Sequence, residues 1–85
     1  MIELFQRICQ ERDIPSASLR VGDVATVVEL LPGTTESGGE PGYALEVTNA
    51  VGETYAVVFV AASAVRKLTP HEILHARPLV QAIDA

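Results

Sequence analysis

The chain has 85 residues, of which 48% are hydrophobic, and its formal net charge is −5. This length fits one small domain, and an acidic chain with only six basic residues argues against nucleic-acid binding, which needs a dense cationic patch. The single cysteine excludes an intrachain disulfide and fits a reducing cytoplasm, and no apolar run approaches the roughly 20 residues that span a membrane.

The first segment, residues 2–13, is ambiguous from its pattern alone. Phe5, Ile8 and Cys9 are compatible with the apolar face of a helix, whereas the alternation expected of a strand is poor. A turn follows, because Pro15 disfavours the helical conformation at the residue before it.

Three strands are predicted in the middle of the chain. The first covers residues 24–31, and a loop rich in Gly, Pro, Ser and Thr follows at residues 32–42. The second strand, residues 43–48, alternates cleanly between apolar and polar positions. A short turn then leads into residues 53–60, which are apolar on both faces and are therefore predicted to be the central strand of the sheet.

The small residues 61–64 predict a tight helical turn, and residues 65–68 predict a last short strand. Thr69, Pro70 and Glu72 are typical of the start of a helix, since they fit the N-cap, the first helical position and the capping box. We therefore predict a helix from Thr69 to about Ala76.

One catalytic motif matches the chain, because His71, Glu72 and His75 form an H-E-x-x-H sequence. In zinc peptidases the two histidines bind the metal and the glutamate is the general base. Only ten residues follow His75, which leaves little chain for a third ligand and none for a substrate cleft. We interpret the match as fortuitous and predict no catalytic residue, no metal and no cofactor.

A series of short motifs runs along the block from Ile14 to Leu68. These motifs are Asp13-Ile14-Pro15, Leu19-Arg20-Val21-Gly22-Asp23, Thr26-Val27-Val28-Glu29, Tyr43-Ala44-Leu45-Glu46-Val47, Gly52, Thr54-Tyr55-Ala56 and Leu68. In them the block resembles a family of small bacterial proteins, the domain-of-unknown-function family 4926. The resemblance implies an SH3-like barrel of five strands, whose first strand covers residues 7–13. The chain departs from the family at Ala25, where the family usually has glycine, and in a longer loop at residues 32–42.

The expected architecture is therefore mainly β: an SH3-like β-barrel in residues 1–68 and a short helical extension or tail in residues 69–85. The resemblance implies no established activity, although some members of the family are encoded beside toxin-like proteins. Fold alone selects no function. We predict that binding occurs in the long loop and the tail, and the candidate partner-binding residues are Glu36, Glu40, Tyr43, Leu79 and Val80.

The function that we expect is a non-catalytic protein-interaction module of the cytoplasm, such as an antitoxin or immunity protein that neutralises a partner. An acidic chain suits a basic partner. Two alternatives remain: an accessory subunit of a larger enzyme complex, and a nucleic-acid-binding barrel, since Val21-Gly22-Asp23 with Val27-Val28 is similar to a KOW motif. The oligomeric state stays open.

Overall fold

Five antiparallel strands form one sheet in the computed structural model of the protein, which describes residues 2–79. The sheet order is β4-β3-β2-β1-β5, so β4 and β5 form its two edges. The predicted mainly β fold is confirmed. The strands are β1 (Arg7–Gln10), β2 (Val24–Leu31), β3 (Gly42–Thr48), β4 (Thr54–Ala61) and β5 (Val65–Lys67), and short 3-10 turns cover Pro15–Ala17 and Ala62–Ala64.

The β3–β4 hairpin is set by local turn chemistry. The Asn49 side-chain oxygen accepts hydrogen bonds from the backbone N–H groups of Val51 and Glu53, at 3.1 and 2.9 Å. Gly52 has a φ of +90°, a conformation that costs glycine no steric strain. These contacts turn the chain so that β4 returns beside β3.

The hydrophobic core takes side chains from all five strands. Ile8 on β1, Val27 on β2 and Leu45 on β3 are completely buried, and Val60 on β4 and Val65 on β5 belong to the same cluster. The strand period of two places these residues on one face of the sheet. The core therefore lies against the inner face, with its centre on the three inner strands.

The prediction that residues 53–60 form the central strand is wrong, because β4 lies at an edge. The strand is apolar on both faces, but only one face is covered. Val58 and Val60 point towards the core, whereas Val57 and Phe59 on the opposite face are exposed. A strand with apolar residues on both faces is therefore not necessarily buried on both faces.

The first segment is a strand, as the family resemblance implied, although it ends at Gln10 and not at Asp13. Within residues 2–79 no ladder joins β4 to β5, so backbone hydrogen bonds do not close the sheet on itself. That same part of the chain contains no helix with the length and apolar character needed to cross a membrane.

The helix predicted from Thr69 to Ala76 is absent from the structure. Only its first turn forms: the Glu72 N–H donates to the Thr69 carbonyl at 3.3 Å, and the Thr69 N–H donates to Glu72 Oε1 at 2.7 Å. A helix of this length is marginal unless an apolar face is buried, and Ile73 is 94% exposed. The capping signals therefore produced a turn without a helix; residues 80–85 lie outside the described residues.

Candidate protein-binding surface

Three large apolar side chains lie exposed on the outer face of β4. Tyr55, Val57 and Phe59 are 47%, 54% and 68% exposed. Alternate residues of a regular strand point to the same face, which places Val57 and Phe59 in one row. Tyr55 precedes them at the β-bulge of this strand, and we call the three exposed side chains the apolar stripe. Contiguous exposed apolar surface of this kind marks an interaction site more often than a solvated face.

Carboxylates flank the apolar stripe on the same face of the sheet. Glu46 lies opposite Val57, and Ala44, which is buried, lies between Phe59 and Glu29. The Glu46 carboxylate accepts a hydrogen bond from the Thr54 hydroxyl at 2.6 Å. The outer face of β2–β4 therefore combines an apolar row at the edge with negative charge further in.

The backbone of β4 leaves hydrogen-bonding groups at the free edge of the sheet. The Ala62 N–H donates to the Pro41 carbonyl at 2.9 Å, which makes these two residues a hydrogen-bonded pair of the β3–β4 ladder. Hydrogen-bonded and non-hydrogen-bonded pairs alternate in an antiparallel ladder. Val58 and Val60 therefore bond to β3, whereas the N–H and C=O groups of Val57 and Phe59 point away from it.

An open cleft of about 780 Å³ adjoins the stripe at Tyr55. Residues 69–79 are here called the tail. The cleft lies between the β3–β4 turn and residues 74–79 of this tail. Val51, Leu74 and Leu79 line the cleft and are exposed. The stripe and the cleft thus form one continuous, largely apolar surface.

An ion pair fastens the tail beside this cleft. Arg77 donates from Nε to Asp23 Oδ1 at 2.8 Å and from Nη2 to Oδ2 at 2.5 Å, and the Arg20 N–H also donates to Oδ2 at 2.8 Å. Partial burial alone would raise the pKa of Asp23, but the hydrogen bonds from Arg77 and Arg20 outweigh it and lower that pKa. Asp23 is therefore an ionised anchor.

A second ion pair engages Glu72, the glutamate of the H-E-x-x-H match. Arg66 donates to both carboxylate oxygens of Glu72, at 2.9 and 2.5 Å, and its Nε lies 2.9 Å from Glu11. The hydrogen bonds from Arg66 lower the pKa of Glu72 to about 2. Without the helix, His71 and His75 lack the shared face that zinc ligation requires. Residues 2–79 contain no cluster of three or more metal-ligating side chains.

The partner-binding candidates named from the sequence do not form one site. Glu40 accepts the Ser63 N–H at 2.8 Å and so supports the turn before β5, and Tyr43 is half-buried against the core. Glu36 is exposed in the long loop, and Leu79 lines the cleft. Val80 lies outside the described residues.

Sequence reasoning missed the apolar stripe. The available signal was that residues 54–61 contain no charged residue, no proline and no glycine, while their apolar residues occupy both faces. A central strand and an unprotected edge strand share this pattern, so the sequence could not distinguish them. Cys9 is buried, and burial raises the pKa of its thiol.

Comparison with protein families matches the chain to the model described as "Domain of unknown function (DUF4926)", over residues 4–67. This range contains all five strands and ends at the last residue of β5. The curated proteins and the solved structures contain no match to the chain.

Proposed function

The chain belongs to the DUF4926 family, a domain of unknown function, and we propose that it is a non-catalytic protein-interaction module. The observation that carries this proposal is the apolar stripe on β4, whose three large side chains are about half exposed or more. Aromatic residues in an exposed cluster are the side chains that contribute most to protein interfaces.

The partner that fits this surface has an apolar centre and a basic rim. Glu29 and Glu46 lie on the same face as the stripe, and the whole chain carries a net charge of −5. Opposite charge at a rim accelerates association and selects against wrong partners. An antitoxin or immunity protein that covers a basic partner has this character.

Two further observations support a role without catalysis. The carboxylate of Asp23, which lines the cleft, is held by Arg77, and the carboxylate of Glu72 is held by Arg66. A general base needs a carboxylate or an imidazole that can reach a substrate proton. Both carboxylates serve instead to hold the tail.

The accessory subunit of an enzyme complex is the second candidate, since an exposed apolar row also suits a permanent interface. The two roles differ in what the partner does. An immunity protein abolishes the activity of its partner, whereas an accessory subunit leaves that activity intact. For the KOW-like alternative, a salt-dependent gel shift at physiological ionic strength is the corresponding test.

We also infer that the sheet rolls into an SH3-like barrel and that the protein works in the cytoplasm. The pairing of β1 with both β2 and β5, the β-bulge between Val27 and Glu29, and the 3-10 turn before β5 support the barrel. In a flat sheet Ile8 and Val60 would be about three strand spacings apart, roughly 14 Å. A methyl–methyl NOE between them is the expected result, and its absence would contradict the barrel.

The interaction surface is tested by site-specific photo-crosslinking in the native host. A photoreactive residue at position 59, on the stripe, is expected to capture one partner in stoichiometric amounts. The same residue at position 67, on the opposite edge, provides the control. Equal capture from both positions, or no capture from position 59, would count against the proposed surface.

The captured protein is then purified and its affinity measured by calorimetry. We expect Phe59→Ser to weaken binding at least about tenfold, since it removes an aromatic anchor. Glu29→Lys should reduce the association rate and its salt dependence. Val21→Ser changes an exposed residue of the turn before β2, which belongs to neither the stripe nor the cleft, and should leave the affinity unchanged.

A further inference from the structure

We propose that β4 pairs antiparallel with β4 of a second copy of this chain, so that two five-stranded sheets join into one across a two-fold axis. This inference concerns the edge of the sheet and goes beyond the partner-binding role of its outer face. It starts from an edge strand of eight residues, Thr54–Ala61. Among residues 2–79, no other strand pairs with that edge.

Edge strands in stable monomers are usually short, charged, bulged or covered, because an open edge pairs with other strands. At the other edge, β5 has three residues, of which Arg66 and Lys67 are cationic. β4 has no charged residue, no proline and no glycine over its whole length. Its one irregularity lies at its beginning, opposite Val47 and Thr48.

The hydrogen-bonding pattern of the edge is self-complementary. The outward N–H and C=O groups belong to Val57 and Phe59, as the ladder to β3 requires. In an antiparallel pair of identical strands, these groups meet when Val57 of one copy lies opposite Phe59 of the other. The two-fold axis then passes beside Val58, and an isologous contact of this kind closes at a dimer.

The side chains fit the same register. Val57 and Phe59 share the outer face, so each copy places a β-branched residue beside an aromatic ring of the other. Cross-strand pairs of this type stabilise a sheet. The two apolar stripes would become one surface at the centre of the joined sheet, and part of their exposed area would be covered.

Charge favours a second copy over a basic strand as the occupant of this edge. A basic strand would find no carboxylate within β4 to pair with, whereas β4 itself is an uncharged strand of matching length and face pattern. The nearest acidic side chain, Glu46, is one strand further in. The two Glu46 residues would be at least three strand spacings apart, about 14 Å, which exceeds the Debye length of about 8–10 Å.

The contact consists of two strand edges and their outward side chains, so it is smaller than a standard interface of about 1,600 Å². We therefore expect a reversible dimer with a dissociation constant in roughly the micromolar range. Sedimentation equilibrium of the purified chain alone, from about tenfold below to tenfold above that value, should follow a monomer–dimer equilibrium.

Amide hydrogen exchange locates the contact. The N–H groups of Val58 and Val60 should be protected at every concentration, because they bond to β3. Those of Val57 and Phe59 should exchange rapidly in dilute protein and become protected as the dimer forms. A dimer in which the Val57 and Phe59 amides stay unprotected would overturn the proposal.

Val57→Lys should weaken the dimer at least about tenfold, since it places two charges beside the two-fold axis. Val21→Lys is the matched control, because Val21 is 62% exposed and lies in the turn before β2, outside β4 and the cleft; it should leave the dimer unchanged. Val57→Pro is a second variant, which removes an outward N–H that the β3–β4 ladder does not use. It too should give a monomer with the same fold.

Two outcomes would overturn the proposal: a chain that stays monomeric at all concentrations, or a dimer that persists in both position-57 variants. A monomeric chain that binds an extended strand of another protein along β4 would assign the edge to that strand instead. Failure of the dimer leaves the proposed function standing, because partner capture from position 59 is measured separately.

Discussion

The two edges of the sheet differ in length, charge and exposure. β5 has three residues, and its Arg66 side chain is engaged by Glu11 and Glu72. β4 has eight residues, none of them charged, and carries the exposed Tyr55, Val57 and Phe59. One edge thus carries the charge that discourages strand pairing, and the other carries apolar surface that favours it.

The difference between the edges supports the proposed binding surface on β4. Both edge strands contribute to the same core, through Val60 and Val65, so core packing alone does not explain the contrast. Exposed aromatic residues on an open edge promote unwanted association, and soluble proteins usually avoid them. Their presence on β4 is the physical reason to assign the interaction to this edge.

The largest expected effect is a loss of stability of the whole sheet, including both edge strands. Leu45 on β3 is completely buried between them. We expect Leu45→Ala to lower the free energy of unfolding by about 4 kcal/mol, measured by urea denaturation. Phe59→Ala at the edge should cost less than about 1 kcal/mol, because this ring is 68% exposed. Similar losses for the two variants would show that the β4 edge belongs to the core.

Proline substitutions at neighbouring positions compare the side of β4 that bonds to β3 with the side at the free edge. Val58→Pro removes an N–H that bonds to β3 and should cost about 3 kcal/mol or more. Val57→Pro removes an N–H at the free edge and should cost about 1 kcal/mol or less, since edge positions tolerate proline. Thermal unfolding of both variants, well below the dimer dissociation constant, makes the comparison. The reverse order would mean that the assigned backbone directions are wrong.

The tail is held by a partly buried ion pair, whose loss should have a smaller effect. Arg77→Ala should cost about 1 kcal/mol, less than a fully buried charged hydrogen bond because both side chains keep some exposure. Asp23 has a lowered pKa, so its contribution is present above its unfolded-state pKa and is lost as pH falls through the folded value.

The stability difference between wild type and Arg77→Ala should therefore shrink on acidification, and urea midpoints at a series of pH values measure it. Lys67→Ala is the control, because Lys67 is an exposed cation of β5 that does not act on Asp23. A difference that grows as pH falls would contradict the pairing of Arg77 with Asp23.

The smallest expected effect is a change in the pKa of one carboxyl group, Glu72, beside β5. The pKa of Glu72 is about 2 because Arg66 donates to its carboxylate, against an ordinary value of 4.5. Arg66→Ala should raise the pKa of Glu72 towards that ordinary value, as followed by the carboxyl carbon resonance in an NMR titration. Arg12→Ala should leave it near 2, and an unchanged value in Arg66→Ala would exclude the ion pair.

Local patterns in the sequence predicted much of the sheet. The observed bounds of β2 equal the predicted ones, β3 begins one residue before its predicted start, and the 3-10 turn at Ala62–Ala64 lies within the predicted tight turn. These elements depend on alternation and turn residues a few positions apart, which the sequence contains directly. The capping signals at Thr69 predicted the turn correctly but not its continuation, because a helix also needs a surface to bury its apolar face.

The candidate site was predicted poorly, since it depends on contacts between distant parts of the chain. The loop sequence around Glu40 predicted a side chain available to a partner, yet the Glu40 carboxylate accepts a hydrogen bond from the Ser63 N–H. Leu79 was named from the tail and does line the cleft, where the contacts of Arg77 with Asp23 and with the Ser18 carbonyl hold this part of the chain.

By itself, the sequence determined a mainly β domain of the DUF4926 family, with strands and turns near their observed positions. Only the tertiary structure decided which strand lies at an edge, which face of β4 is covered, and where the tail is fastened. The physical reason is that strand formation follows from neighbouring residues, whereas burial of a face depends on which other strand packs against it. Residues 54–61 could have formed a strand covered on both faces; the order β4-β3-β2-β1-β5 instead leaves Val57 and Phe59 exposed at the edge.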